Sequence, residues 1–200
     1  MIMSNETVSQ ENSNKQEEGA KKTDLKKEVL SWIFYILFVI ALTYLIITFV
    51  GQRTMVDGRS MNATLNDGDN LIVEKLSYRF GDPERFDIIV FPPQESPKEH
   101  YIKRIIGLPG ETVQIDAEGK IYINGEVLEE NYGLETIRNA GRAAEPITLG
   151  DDEYFVLGDN RNNSKDSRSD AVGNVKRSSI TGRAWLRIWP LSDIGFLKHQ

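Results

Sequence analysis

The sequence predicts a mostly β domain carried behind a single N-terminal transmembrane helix. Two observations lead there. Residues 32–50 form nineteen positions without a charge, and everything after them is short apolar runs broken by Gly, Pro, Asn and Asp. The expected division is a disordered cytoplasmic leader at 1–24, a membrane anchor at 25–51 and a β-rich extracytoplasmic domain at 52–200. Within the last, 111–150 reads as an inserted, cap-like β segment.

The leader is Asn-, Ser-, Glu- and Gln-rich with almost no large apolar residues; such a segment cannot repay the entropy of ordering. The apolar run that follows would span roughly 28 Å as a helix, close to a bilayer core of about 30 Å. A buried helix of a soluble domain would show a polar stripe, and here only Thr43 and Thr48 interrupt the run among non-aromatic residues. A cleaved signal peptide would have a shorter apolar core and small-residue cleavage spacing after it, so the run reads as a retained anchor. Lys21, Lys22, Lys26 and Lys27 precede it and only Arg53 follows closely, an imbalance that places the N-terminus in the cytoplasm.

The strands follow in order. Residues 71–76 and 87–91 read as strands, the second stopped by Pro92-Pro93. Residues 101–108 form another, closed by Gly107-Leu108-Pro109-Gly110. Residues 113–116, 120–123 and 126–128 read as a small meander, with Asn124-Gly125 as its hairpin turn. The weak periodicity of 132–146 predicts a mobile excursion. Residues 153–157 and 184–189 complete the set.

Composition excludes several chemistries. The formal net charge of −6 and the lack of a basic patch argue against a nucleic-acid partner. There is no cysteine, and His100 and His199 are the two histidines, so a thiol enzyme is excluded and a His/Cys metal site is not expected. An exported domain without disulfides must be held by its core.

One serine, Ser60, sits among small and turn-forming residues in Asp57-Gly58-Arg59-Ser60-Met61-Asn62-Ala63-Thr64-Leu65. A serine hydroxyl needs a neighbouring base to become a nucleophile, and with histidine so scarce lysine is the leading candidate. In a strand at 101–106, Lys103 shares a face with Tyr101 and Ile105, and burial among apolar groups lowers a lysine's pKa. Taken alone, a strand lysine snorkels to water, and His100 is expected to point to the opposite face. The polar stretch 158–168 would by itself be a solvated loop with Asx turns.

Together, however, three stretches in order resemble the boxes of type I signal peptidases. They are Ser60-Met61-x-x-Thr64-Leu65, Lys103-Arg104-Ile105-x-Gly107-Leu108-Pro109-Gly110 and Gly158-Asp159-Asn160-x-x-x-Ser164-x-Asp166-Ser167-Arg168. The likeness runs from about Lys26 to the C-terminus. It implies a membrane-bound serine endopeptidase that removes signal peptides from exported preproteins, with small residues at the first and third positions before the cut bond. It implies no cofactor or metal, and as partners only preproteins and the bilayer. By this resemblance Ser60 is the nucleophile and Lys103 the general base. Ser164 would hydrogen-bond and orient the lysine, Asp166 and Arg168 would form an ion pair holding the loop, and Asp159 and Asn160 would be structural. Ser60 would lie within about 33 Å of the span along the chain, suiting a cut near the membrane surface.

Three departures stand out. Ala63 replaces a usual proline, which would loosen the turn after the nucleophile. Gly58 stands where some members carry a serine that helps bind the oxyanion, though Gram-positive members commonly have glycine, so the hole would rely on the Ser60 N–H. In Arg85-Phe86-Asp87 the middle residue is usually glycine. Such departures leave open an impaired relative acting as an assembly or interaction partner in secretion. Self-cleavage of the repressor kind would need a DNA-binding module, which the sequence lacks.

Overall fold

A computed structural model describes residues 26–45 and 51–197. The expected leader, 1–24, and residues 25 and 46–50 of the expected anchor lie outside them. The chain divides into two compact units, Met1–Ile47 and Thr48–Gln200. In the first, helix α1 (Lys26–Leu45) is long and apolar enough to cross a membrane, and its side chains are exposed all round. A helix with large apolar residues on every face has no polar side to offer water.

The strands of the second unit all pair antiparallel. They are β1 (Gly51–Met55), β2 (Asn70–Glu74), β3 (Ile88–Phe91), β4 (Tyr101–Gly107), β5 (Thr112–Ile115), β6 (Ile121–Ile123), β7 (Glu126–Val127), β8 (Ile147–Thr148), β9 (Glu153–Leu157), β10 (Val175–Lys176), β11 (Gly182–Trp189) and β12 (Gly195–Phe196). A one-turn helix, α2 (Ser77–Phe80), follows β2. The large sheet runs β1-β2-β11-β3-β4-β9-β10, with β12 paired to β11, and the small sheet runs β7-β6-β5-β8. Strand β11, late in sequence, therefore lies between two early strands.

Alternation along these strands feeds separate apolar clusters. Ile102 packs with Val56, Met61, Leu65, Leu71 and Val73, whereas Ile105 packs with Ile89, Phe91, Tyr154 and Val156. A register shift between Ile105 and Gly107 in the β4–β9 pairing turns the strand end toward the small sheet, where Ile106 joins Val113, Ile115 and Phe155. Gly107 is required there, since a Cβ would sit 2.5 Å from Val113 Cγ2. The Asn124-Gly125 hairpin is as expected, both residues having positive φ (53° and 85°).

Three features differ from the expectation. Strand β1 was hidden because its half-exposed, largely polar residues show no apolar alternation; it is an edge strand held by its pairing with β2. Strands β8, β10 and β12 have two residues each, too few to leave a periodic signal. The segment 132–146 is anchored rather than loose. Ile137 and Ala143 are buried, Leu134 N–H donates to Asp159 O (3.0 Å), and Arg142 N–H donates to Arg168 O (3.0 Å). Those anchors are backbone bonds to a distant loop, which no local pattern announces.

Candidate active site

Ser60 lies in the turn between β1 and β2. Gly58 enters it with φ of +97°, a conformation side-chain-bearing residues rarely adopt, and its N–H donates to Asp67 Oδ1 at 2.8 Å. Met61 and Leu65 are buried beneath it, and Leu65 N–H donates to Met61 O at 2.8 Å. The turn is thus fixed by apolar anchors on either side of Ala63, where the missing proline suggested looseness. The Asn62–Ala63 peptide is cis.

Lys103 comes from the middle of β4 and is 4% exposed. Its Nζ donates to Ser60 Oγ at 2.8 Å and to Ile102 O at 2.9 Å, and lies 5.2 Å from the centre of the Tyr101 ring. Burial pushes the amine down from 10.5 to about 8, against the opposing pull of the Asp166 and Asp159 carboxylates. The pair opens onto a cleft of about 260 Å³ whose walls include Val56, Met61 and Ile102. His100 lines this same cleft, contrary to the opposite-face expectation. It precedes the first residue of β4, so strand alternation does not govern it.

The loop after β9 closes the site. Asn160 N–H donates to Ser60 O at 3.0 Å, and its side-chain amide donates to Arg59 O at 3.0 Å. Asp166 and Arg168 form the expected ion pair in bidentate geometry, Nε to Oδ1 at 2.8 Å and Nη2 to Oδ2 at 2.9 Å. Asp166 also accepts from Gly158 N–H at 3.1 Å, which ties the loop back to the end of β9.

The expected hydrogen bond from Ser164 to the lysine is not made. Among the described residues Ser164 Oγ is buried without a hydrogen-bond partner, in the space that a Cβ at Gly158 would take beside the Ser60 carbonyl. The lysine instead turns to Ser60 Oγ and the carbonyl of Ile102.

One group escaped sequence reasoning. Arg104, directly after the lysine, is fully buried and grips Asp159 in a second bidentate pair, Nε to Oδ1 at 2.8 Å and Nη2 to Oδ2 at 2.7 Å. Asp159 also accepts a 2.6 Å bond from Thr64 Oγ1, in the serine's turn. Both partners stand in the recognised boxes, but 55 positions separate them; opposite buried charges were the available signal.

A family model described as signal peptidase, peptidase S26, matches residues 29–189. The chain belongs to this family. It is similar to a probable signal peptidase I-2 of Synechocystis sp., with 45% identity over 157 residues, 75% of this chain and 68% of that one. It is also 36% identical to a signal peptidase I P of Bacillus subtilis subsp. natto over 185 residues, 89% and 98% of the two chains. The crystal structure of a signal peptidase I from Enterococcus faecalis V583 shares 37% identity and covers 52% of this chain and 97% of that one, with a TM-score of 0.42. Among the departures from the signal peptidase pattern, Phe86 now has a physical reading. Its φ is +73°, in the left-handed region that glycine occupies without strain.

Proposed function

We propose that the chain is a membrane-anchored serine endopeptidase that removes signal peptides from exported preproteins through a Ser60/Lys103 dyad. Its N-terminus would lie in the cytoplasm and its β domain outside. The observation that carries the reading is the 2.8 Å approach of Lys103 Nζ to Ser60 Oγ by an amine whose burial favours its neutral form. Once deprotonated, the amine turns its lone pair to the hydroxyl and takes its proton as Oγ attacks the scissile carbonyl. Oxyanion charge falls to the Ser60 N–H, because Gly58 offers no hydroxyl. Lys103 then protonates the departing amine, leaving an acyl group on Ser60. A water attacks that ester, giving its proton to Lys103, and the proton returns to Ser60 Oγ. Substrates with small residues at the first and third positions before the bond are in keeping with the small volume of the cleft.

Ser60→Ala and Lys103→Ala are each expected to abolish preprotein cleavage, and the double variant to be no worse, since the two act as a unit. kcat/KM is expected to rise with pH through the depressed lysine pKa near 8. A rise near 6.5 instead, with His100→Ala as damaging as Lys103→Ala, would overturn the lysine mechanism.

A further inference from the structure

Residues outside the recognised boxes also bear on the site. The Arg104 guanidinium spends its in-plane donors on Asp159, on Phe86 O at 2.8 Å and, at 3.4 Å, on Thr64 Oγ1. Tyr132 covers its face, with Arg104 Cζ 3.6 Å from the ring centre. Phe86 packs behind Tyr132, the two rings 5.1 Å apart at 48°. Tyr132 arrives on the inserted segment, far from β4 in sequence. That segment is bound to the loop it faces, by Leu134 N–H to Asp159 O and by a Glu130–Arg161 ion pair of 2.7 Å, largely buried.

Resting on the dyad reading above, we propose that Tyr132, backed by Phe86, is a positioning residue for Ser60 and Lys103 that acts through Arg104. Its ring keeps water from the guanidinium and holds it flat against Asp159. Arg104 follows Lys103 on β4, so fixing it fixes the strand that carries the base. Asp159 binds Thr64, and the next residue binds the Ser60 carbonyl, so fixing the carboxylate fixes the nucleophile turn. The left-handed backbone of Phe86 fits this reading. A glycine there would relieve the strain but would leave the tyrosine ring without its backing.

The charges around Lys103 supply a readout that a merely structural role would not move. From the loop after β9 it faces Asp159 and Asp166, each neutralised by its own arginine. The cleft mouth adds Asp57, Arg59, His100, Tyr101 and Lys165, none of which is altered in the variants below. If Arg104 loses its cover, water enters and Asp159 is less well neutralised; both changes favour the protonated amine and raise the pH at which the base becomes active.

The test uses the full chain in detergent micelles and a peptide with alanine at the first and third positions before the cut bond. Tyr132→Leu is expected to lower kcat about tenfold with KM unchanged and to move the rising limb of the pH profile upward. Tyr132→Phe, which keeps the ring, is expected to restore wild-type behaviour. Phe86→Gly relaxes the backbone, so it remains readable should Tyr132→Leu fail to fold, and is expected to lower kcat about threefold with the same upward movement. Ser60→Ala and Lys103→Ala run alongside: if either cleaves normally, the dyad reading fails and this inference with it. If both are inactive while the folded Tyr132 and Phe86 variants keep wild-type kcat and pH profile, whatever their melting temperatures, this inference alone is overturned.

Discussion

Replacing Lys103 by methionine should make the protein more stable at neutral pH while destroying its activity. Burial lowers the amine from 10.5 in the open chain to about 8 in the folded state. At 1.36 kcal/mol per unit, keeping it charged inside costs about 3 kcal/mol. Between those two values the unfolded chain holds more protons than the folded one, so wild-type stability rises with pH across that window, and the full penalty is present below about pH 8. Methionine removes the penalty but also the bonds to Ser60 Oγ and Ile102 O, worth about 1 kcal/mol each. At pH 7 the net gain is about 1 kcal/mol, or roughly 2 to 4 °C in Tm for a domain of this size. At pH 10.5 the penalty has nearly gone and the lost bonds dominate, so the variant should melt roughly 4 to 8 °C below wild type. Thermal melts followed by circular dichroism at the two pH values make the comparison. A variant that melts lower than wild type by the same amount at both would show that the lysine carries no buried-charge penalty, and the depressed pKa would have to be abandoned.

Asp159→Ala should cost about 3 to 5 kcal/mol in denaturant unfolding, because it leaves the fully buried Arg104 without its carboxylate; a loss under about 1 kcal/mol would mean that the arginine finds water. Gly158→Ala places a Cβ 2.5 Å from Ser60 O and against Ser164 Oγ. It should therefore lower kcat at least about tenfold by displacing the Ser60 turn, and an unchanged kcat would show that the loop yields freely. Ser164→Ala removes a buried hydroxyl with no partner, so Tm should hold or rise and kcat should fall by less than about tenfold; a larger fall would mean that Ser164 reaches the lysine during turnover.

The strands that the sequence announced are those whose burial is one-dimensional. In β3 and β9 the apolar residues run together between Gly, Pro and Asp punctuation, and their local pattern survives into the fold. Strand β1 exists because β2 offers it partners, a property of the sheet and not of Gly51–Met55. At the site, Ser60, Lys103 and the Asp166–Arg168 pair could be picked out from spacing and resemblance, since each lies within a short motif. The Arg104–Asp159 pair, the Tyr132 cover and the partnerless Ser164 could not. Each depends on which of two segments tens of residues apart come face to face, and a one-residue change in register would send the side chains elsewhere.

The place of β11 bears on how the protein comes into being. Ser60 is carried between β1 and β2, Lys103 on β4 beyond β3, and β11 is the strand that pairs with both β2 and β3. Until residues 182–189 have been made, the two halves of the sheet have no backbone ladder to join them, and the hydroxyl and the amine are linked through side-chain packing and the loop after β9. A ribosome adds residues in order, at about 5 to 20 per second. The growing chain therefore carries Ser60 and Lys103 on two parts of an unfinished sheet until β11 is made, and that strand is what closes the sheet between them.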